Sequence, residues 1–411
     1  MKKALSLMLA VVLFACLLVP AMQVSAATEY VCYISAAGDD ATAEIGSEAK
    51  PYKTLSAAAT ALAAKTFVDG DTVKMVIIGT VEVDNRQPLL TSATKATELN
   101  ANQILCVRDA ESKPVLNEDK TAKLIPVTVE GKDSTATLDF ANRSGSSNRA
   151  YPLQQVTFKN LKFTASFADG VDKYMWLQPS IGTMTFDNVT FDSTGCDWKI
   201  SAQCMSGTPY TKIIGVAADV QCDNTVIFKN GDYTNLHTVA VLWTYSTKID
   251  VTAAQIAAFN PGITVESGAK MNTVYGLATQ TMAKGSSGSY DLPTACRNPE
   301  ILIKSGATVA KVIGTLDNVT YTNNLTITIE QGANVTTVAE KGEGATVTGD
   351  IVVNNANTGS TTPETPAPET PAPETPAPST PATADASEIV LFSFIALASL
   401  AGVAVVSKTR A

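Results

Sequence analysis

The sequence predicts an all-β fold, a parallel β-helix solenoid of stacked short strands, and three observations lead there. A Phe-x-Asn signature follows an alternating apolar run three times, in VTFKNLKFT at 156–164, MTFDNVTF at 184–191 and VIFKNGDYT at 226–234. A longer plan also recurs, in GITVESGAKMNTVYG at 262–276, EILIKSGATVAKVIG at 300–314 and LTITIEQGANVTTVA at 325–339. Each copy opens on alternating Ile or Val, turns at Gly268, Gly306 or Gly332, and then steps by three residues to further apolar positions. Finally, residues 28–358 are rich in Val, Ile, Thr and Phe, and only one segment of them has a convincing helical period. Units too short to bury their own apolar face become stable when each stacks on the next.

The elements follow in chain order. Residues 1–27 have two lysines, an apolar stretch and a run of small residues ending Val24-Ser25-Ala26-Ala27, the layout of a secretory signal peptide. The segment KTLSAAATALAAK at 53–65 places Leu55, Ala58, Ala59 and Leu62 at helical spacing, a short helix at the N-terminal end of the ectodomain, residues 28–358. In the rungs that follow, Phe158, Phe186 and Phe228 are expected to stack as an internal aromatic column. Val265, Ile303 and Ile329 are expected to share one inner face. Asn160, Asn188 and Asn230 are expected to stack at a turn, their amides bonding one another and the turn backbone where these groups would otherwise be buried unpaired.

Residues 359–388 form a spacer with Pro every two or three positions, which stays an extended, hydrated rod. At about 3.1 Å per residue it reaches on the order of 80 to 90 Å. Residues 389–407 then supply an apolar run close to the thickness of a bilayer core, a predicted transmembrane helix. Lys408 and Arg410 in the tail at 408–411 put that end in the cytoplasm and the ectodomain outside.

Two resemblances attach to these segments. Pro-rich spacer, Pro381-Ala382-Thr383-Ala384-Asp385, apolar run and basic tail resemble the C-terminal sorting signal of Gram-positive surface proteins. Pro381 and Thr383 match its Leu-Pro-x-Thr-Gly core, while Thr380 stands where Leu is usual and Ala384 where Gly is usual. The resemblance implies attachment to peptidoglycan after cleavage behind Thr383; a membrane anchor alone needs no such motif. At the other end, YVCYISAAGDDATAEIGSEAKPYKTLSAAATALA followed by GDTVKMVIIGTVEV is similar to the entry of right-handed parallel β-helix, pectate-lyase-like proteins. The match rests on Lys50, Pro51, Tyr52, Lys53 and Thr54, and on Gly70, Asp71, Thr72 and Val73. It implies a right-handed coil with a capping helix, and little about activity, because that family holds lyases, hydrolases, epimerases and proteins without known catalysis.

Composition narrows the partners. The chain carries 30 Lys and Arg against 39 Asp and Glu, and the ectodomain is more negative still, which argues against nucleic acid. After export, cysteines remain at 32, 106, 196, 204, 222 and 296 without any Cys-x-x-Cys pair, so buried thiols are expected rather than a zinc or redox site, with Cys196 and Cys204 the one close pair. His237 is the only histidine, which excludes a histidine metal cluster.

No catalytic residue is assigned. A lyase on such a fold would need carboxylates gathering calcium beside an Arg or Lys base. Asp169 and Asp172, Asp187 and Asp192, and Asp219 and Asp223 recur near Lys199 and Arg149, and Asp39 with Asp40 heads a loop that could take calcium, but aspartates are ordinary turn residues. No resident cofactor or metal is expected, calcium being the one left open. For binding, aromatic rings are the usual platform for sugar faces. Tyr174 and Trp176 in DKYMWLQPS and Trp198 in GCDWKIS read as exposed loop aromatics and form the candidate ligand site, whereas Trp243 falls in a core strand. Two functions stay open: a surface adhesin or glycan-binding module without turnover, and an anchored polysaccharide lyase or glycoside hydrolase. The partner is a polysaccharide or a host or cell-surface glycan in either case.

Overall fold

The computed structural model describes residues 27–357, apart from internal stretches of which the longest are 91–97, 205–211, 215–223, 245–260 and 280–298. Every described residue lies in the first of two compact units, residues 1–360. The signal peptide at 1–27 up to Ala26, the spacer, the run at 389–407 and the anchor residues Pro381, Thr383 and Ala384 lie outside the described residues. Among the described residues, no helix is long and apolar enough to cross a membrane.

Within that unit the fold is all-β, with long parallel sheets and, among the described residues, one helix. The first sheet runs through Glu29–Ser35, Thr72–Ile78, Val127–Gly131, Val156–Phe167, Thr183–Phe191, Thr225–Lys229, Gly262–Val265, Glu300–Ile303, Leu325–Ile329 and Ile351–Asn355, each strand parallel to its neighbour. The second runs in chain order through Arg149–Pro152, Tyr174–Leu177, Asp197–Cys204, Thr238–Thr244, Lys270–Thr279, Thr308–Thr315 and Asn334–Ala339. From Val156 onward the chain crosses back and forth between the two, with Asp232–Tyr233 an extra short strand of the second sheet and Lys212–Ile214, Thr320–Tyr321 and Thr346–Val347 in two small two-stranded sheets. That is compatible with the parallel β-helix solenoid that the repeats predict.

Register shows why the alternating sequence folds this way. Val265 pairs with Ile303 and Ile303 with Ile329, so one residue of each repeat falls above the last, all three buried. The aromatic column also forms. Phe186 pairs with Phe158 on one side and Phe228 on the other, and the rings stack at 5.8 and 5.5 Å with interplanar angles of 18° and 25°.

The asparagines do more, and less, than the repeats predict. Asn160, Asn188 and Asn230 have φ of 51°, 55° and 41°, the left-handed region that Asn tolerates better than most residues, and they bend the strand at one corner of each pass. Their side chains are exposed rather than buried. Asn188 Nδ2 donates to Asn160 Oδ1 at 2.8 Å, but Asn230 Nδ2 donates to Asp187 Oδ1 at 2.9 Å, so the ladder passes to a carboxylate after one step. The backbone conformation, which only Gly and Asn adopt at little cost, is the reason for the repeated residue. In the later repeats Gly268, Gly306 and Gly332 take over with φ of 81°, 79° and 86°.

The helix, α1, spans Leu55–Ala63, inside the expected 53–65, and Thr54 caps it by accepting from the Ala57 N–H at 3.2 Å. Leu55, Ala58, Ala59 and Leu62 are buried against Cys32, Ile34 and Tyr52 at the first strand. The loop before it closes that strand's free edge. Tyr52 N–H donates to Tyr33 C=O at 2.8 Å, Ser35 N–H to Tyr52 C=O at 2.9 Å, and Gly46 N–H to Val31 C=O at 2.7 Å.

Candidate functional site

The three aromatics proposed for ligand contact sit on adjacent strands of the second sheet, where Tyr174 pairs with Asp197, Met175 with Trp198 and Trp176 with Lys199. Neighbouring residues of a strand face opposite sides, so this register separates the trio. Trp198 goes inward with Ile200 and Ala202. It is fully buried 5.2 Å from the Phe191 ring and 5.8 Å from Phe140, and its indole N–H donates to Asp192 C=O at 2.7 Å. The expected exposed Trp198 is therefore corrected to a core residue, because GCDWKIS is a turn ending at Gly195 followed at once by a strand.

Trp176 is on the opposite side, and it too is buried, 1% exposed, against Ala240 and Ala278 with its N–H donating to Ser201 Oγ at 2.8 Å. Neither of its ring faces offers a stacking platform. Only Tyr174 stays partly open, and Lys199 Nζ lies 4.5 Å from its ring centroid, a cation–π contact. Burial holds the Lys199 ammonium below the usual lysine range, opposed by the nearby carboxylates of Asp197 and Asp172.

The other sequence candidates are engaged locally. Asp187 accepts from Asn230, and Asp192 pairs with Lys162 at 2.8 Å and accepts from the Thr194 N–H at 3.0 Å. Asp40 accepts from Lys53 N–H, Thr54 N–H and Thr54 Oγ1, while Asp39 accepts from Ala41 N–H and Thr42 Oγ1, so this pair ties the loop to the helix start. His237 Nδ1 lies 2.8 Å from Thr238 Oγ1, and its Nε2 is 3.8 Å from Asp197 Oδ2. Asp219 and Asp223 lie outside the described residues, as do Cys222 and Cys296. Among the described residues, no group of three or more His, Cys, Asp or Glu could hold a metal. Cys32, Cys106 and Cys196 are free, buried thiols, and burial raises Cys32 and Cys196 to about 12, out of range of thiolate chemistry.

What the sequence did not point to is a groove of about 460 Å³ beside the asparagine corner. Its lining includes Lys132, Asp133, Asn160, Lys162, Asn188 and Thr190. Gly131 makes the groove's tight floor, since a Cβ there would lie 2.1 Å from the Asn160 carbonyl oxygen. Lys132 pairs with Glu48, and Asp133 accepts from the Thr135 hydroxyl and N–H, which holds its carboxyl below the usual range. The groove thus presents amides and hydroxyls among charges that are already paired. Such groups donate and accept hydrogen bonds across a wide pH range but move no protons.

The Lys162–Asp192 pair gives the groove an acid limit. Hydrogen bonds from Lys162 and Thr194 lower Asp192 to about 2 from an ordinary 3.8. A depressed carboxylate stabilises the fold above its unfolded value, and that contribution is lost as pH falls through the folded one. Stability should therefore decline between about pH 4 and pH 2, and in Asp192→Asn that part of the decline should be absent when urea midpoints are compared across the range.

The chain matches no family model, no curated protein and no solved structure.

Proposed function

We propose that the protein is a cell-surface module that binds a polysaccharide or a host or cell-surface glycan in the groove beside its asparagine corner, without turning it over. In this reading the fold is a right-handed, pectate-lyase-like β-helix. Residues 1–27 direct its export, and residues 359–388 hold it away from an anchor at 389–407. Attachment to the wall through Pro381, Thr383 and Ala384 is part of the same reading. Calcium has no assigned role.

The observation that carries the proposal is the exposed pair Asn160 and Asn188, aligned on successive strands and flanked by Lys132, Lys162 and Thr190. Strands in a sheet lie about 4.8 Å apart, so polar groups recur along the groove at a spacing a linear chain of hydroxyls can follow. Tyr174 contributes at most a peripheral contact.

The full chain in detergent is tested on neutral and acidic polysaccharides, with and without calcium, reading affinity, new reducing ends and unsaturated products. The double variant Asn160→Gly, Asn188→Gly keeps the left-handed corner and removes both amides. Affinity is expected to fall at least ~10-fold, about 1.4 kcal/mol, with the thermal midpoint within a few degrees of the parent. Steady release of either product would reject a binding-only function in favour of an anchored lyase or hydrolase.

A further inference from the structure

The column of side chains just before the asparagine corner alternates in charge from strand to strand. Lys159 is in register with Glu130 on one side and Asp187 on the other, and Asp187 is in register with Lys229. Glu266 and Lys304 continue the line, one residue beyond the paired Val265 and Ile303. Lys159 Nζ lies 3.5 Å from Glu130, and Glu266 sits between Lys229 at 3.2 Å and Lys304 at 3.1 Å. Neighbouring strands are about 4.8 Å apart, so the sign reverses at every step of that length. Opposite charges so closely spaced cancel for any group more than a few ångströms away, and the column offers no stripe of one sign to a charged polymer.

The groove beside this column follows the same rule. Lys132 pairs with Glu48 and Lys162 with Asp192, and Asp133 lines the groove as well. Two cations, Lys132 and Lys162, therefore stand among three carboxylates, Glu48, Asp133 and Asp192, in a chain whose formal net charge is −9. An anionic sugar would gain an ion pair here only by breaking one that exists. The uncharged groups are better placed to bind. Asn160 donates one N–H to Glu130 Oε1 at 3.4 Å and Asn188 one to Asn160 Oδ1 at 2.8 Å, while a side-chain amide carries two. A second N–H of each is left for a ligand, beside the exposed Thr190 and Ser134.

Resting on the binding role proposed for this groove, we infer that its ligand is an uncharged polysaccharide, held by hydrogen bonds between sugar hydroxyls and the corner amides, and that uronate-bearing chains are rejected. Specificity is a difference of affinities, and the paired charges supply the half of it that acts against the wrong partner.

The test sets cellohexaose and mannohexaose against hexagalacturonate on the full chain in detergent, by calorimetry at about 20 and 500 mM NaCl. At low salt a neutral hexasaccharide is expected to bind at least ~10-fold more tightly than hexagalacturonate, and to change less than about twofold across the salt range, because screening acts on charges. Glu48→Gln with Asp192→Asn releases both lysines and is expected to raise hexagalacturonate affinity at least ~10-fold at low salt, a gain that high salt removes. Hexagalacturonate that equals or outbinds both neutral chains on the parent overturns the inference, and so does a folded Glu48→Gln, Asp192→Asn variant that gains nothing. In either case the groove reading still stands if Asn160→Gly with Asn188→Gly weakens whatever binds. Neutral binding that this asparagine variant leaves unchanged rejects the groove itself, and binding by neither class rejects both. Should the Glu48, Asp192 variant misfold, the salt series on the parent decides.

Discussion

Phe186→Ala is expected to lower the free energy of unfolding by about 4 kcal/mol, the middle of the range for emptying a buried aromatic site. The ring is fully buried between Phe158 and Phe228 and also touches Phe163 and Phe191 at 6.2 and 5.3 Å. Four rings lose a neighbour at once, and the backbone on both sides is held in a ladder that cannot close the space. In stacked folds the stability of one unit depends on the units beside it, so the loss should spread through the strands around Thr183–Phe191. Amide exchange should accelerate first at Val156–Phe167 and Thr225–Lys229 and last at α1. A urea midpoint shift corresponding to less than about 2 kcal/mol would mean that the column is not a tight stack.

Trp198→Ala should be comparably severe, costing about 3–5 kcal/mol. The indole fills the core between Phe140, Phe163 and Phe191, and its removal also leaves the Asp192 carbonyl without its donor. The measurement of interest is a pair. If Trp198 served a ligand, its removal would weaken binding and leave the unfolding midpoint alone, as Tyr174→Ala should leave it nearly unchanged. The structure predicts the reverse: a large stability loss from Trp198→Ala, and binding that recovers fully at temperatures where the variant remains folded.

How far the sequence could be read depended on whether its signal was periodic. Phe158, Phe186 and Phe228 were legible because identical residues recur at the same place in an alternating run, and parallel register turns that recurrence into contact. Val265, Ile303 and Ile329 follow by the same logic, and α1 by its 3.6-residue spacing. Trp198 was missed although the signal was present. Trp198, Ile200 and Ala202 alternate with Asp197, Lys199 and Ser201, a half-buried strand by pattern, but the preceding Gly195 and Asp197 read as loop. Trp176 is harder, because YMWL is apolar on both faces and alternation is silent about which side is covered. The groove was not legible at all. It joins Lys132 and Asp133 to Asn160, Lys162 and Asn188 from three consecutive passes of the chain, and only register brings them together.

The alignment of these ladders also decides how the molecule answers a pull. Hydrogen bonds between successive strands of the first sheet run across the strands, so a load entering at Asn355 meets the bonds between Ile351–Asn355 and Leu325–Ile329 before any others. They open one pair after another instead of shearing together. Tension from that end would peel single strands at modest force and reach the aromatic column at Phe228, Phe186 and Phe158 only after the four strands from Gly262 onward have come away, so the sheet yields in steps, like a ratchet paying out line.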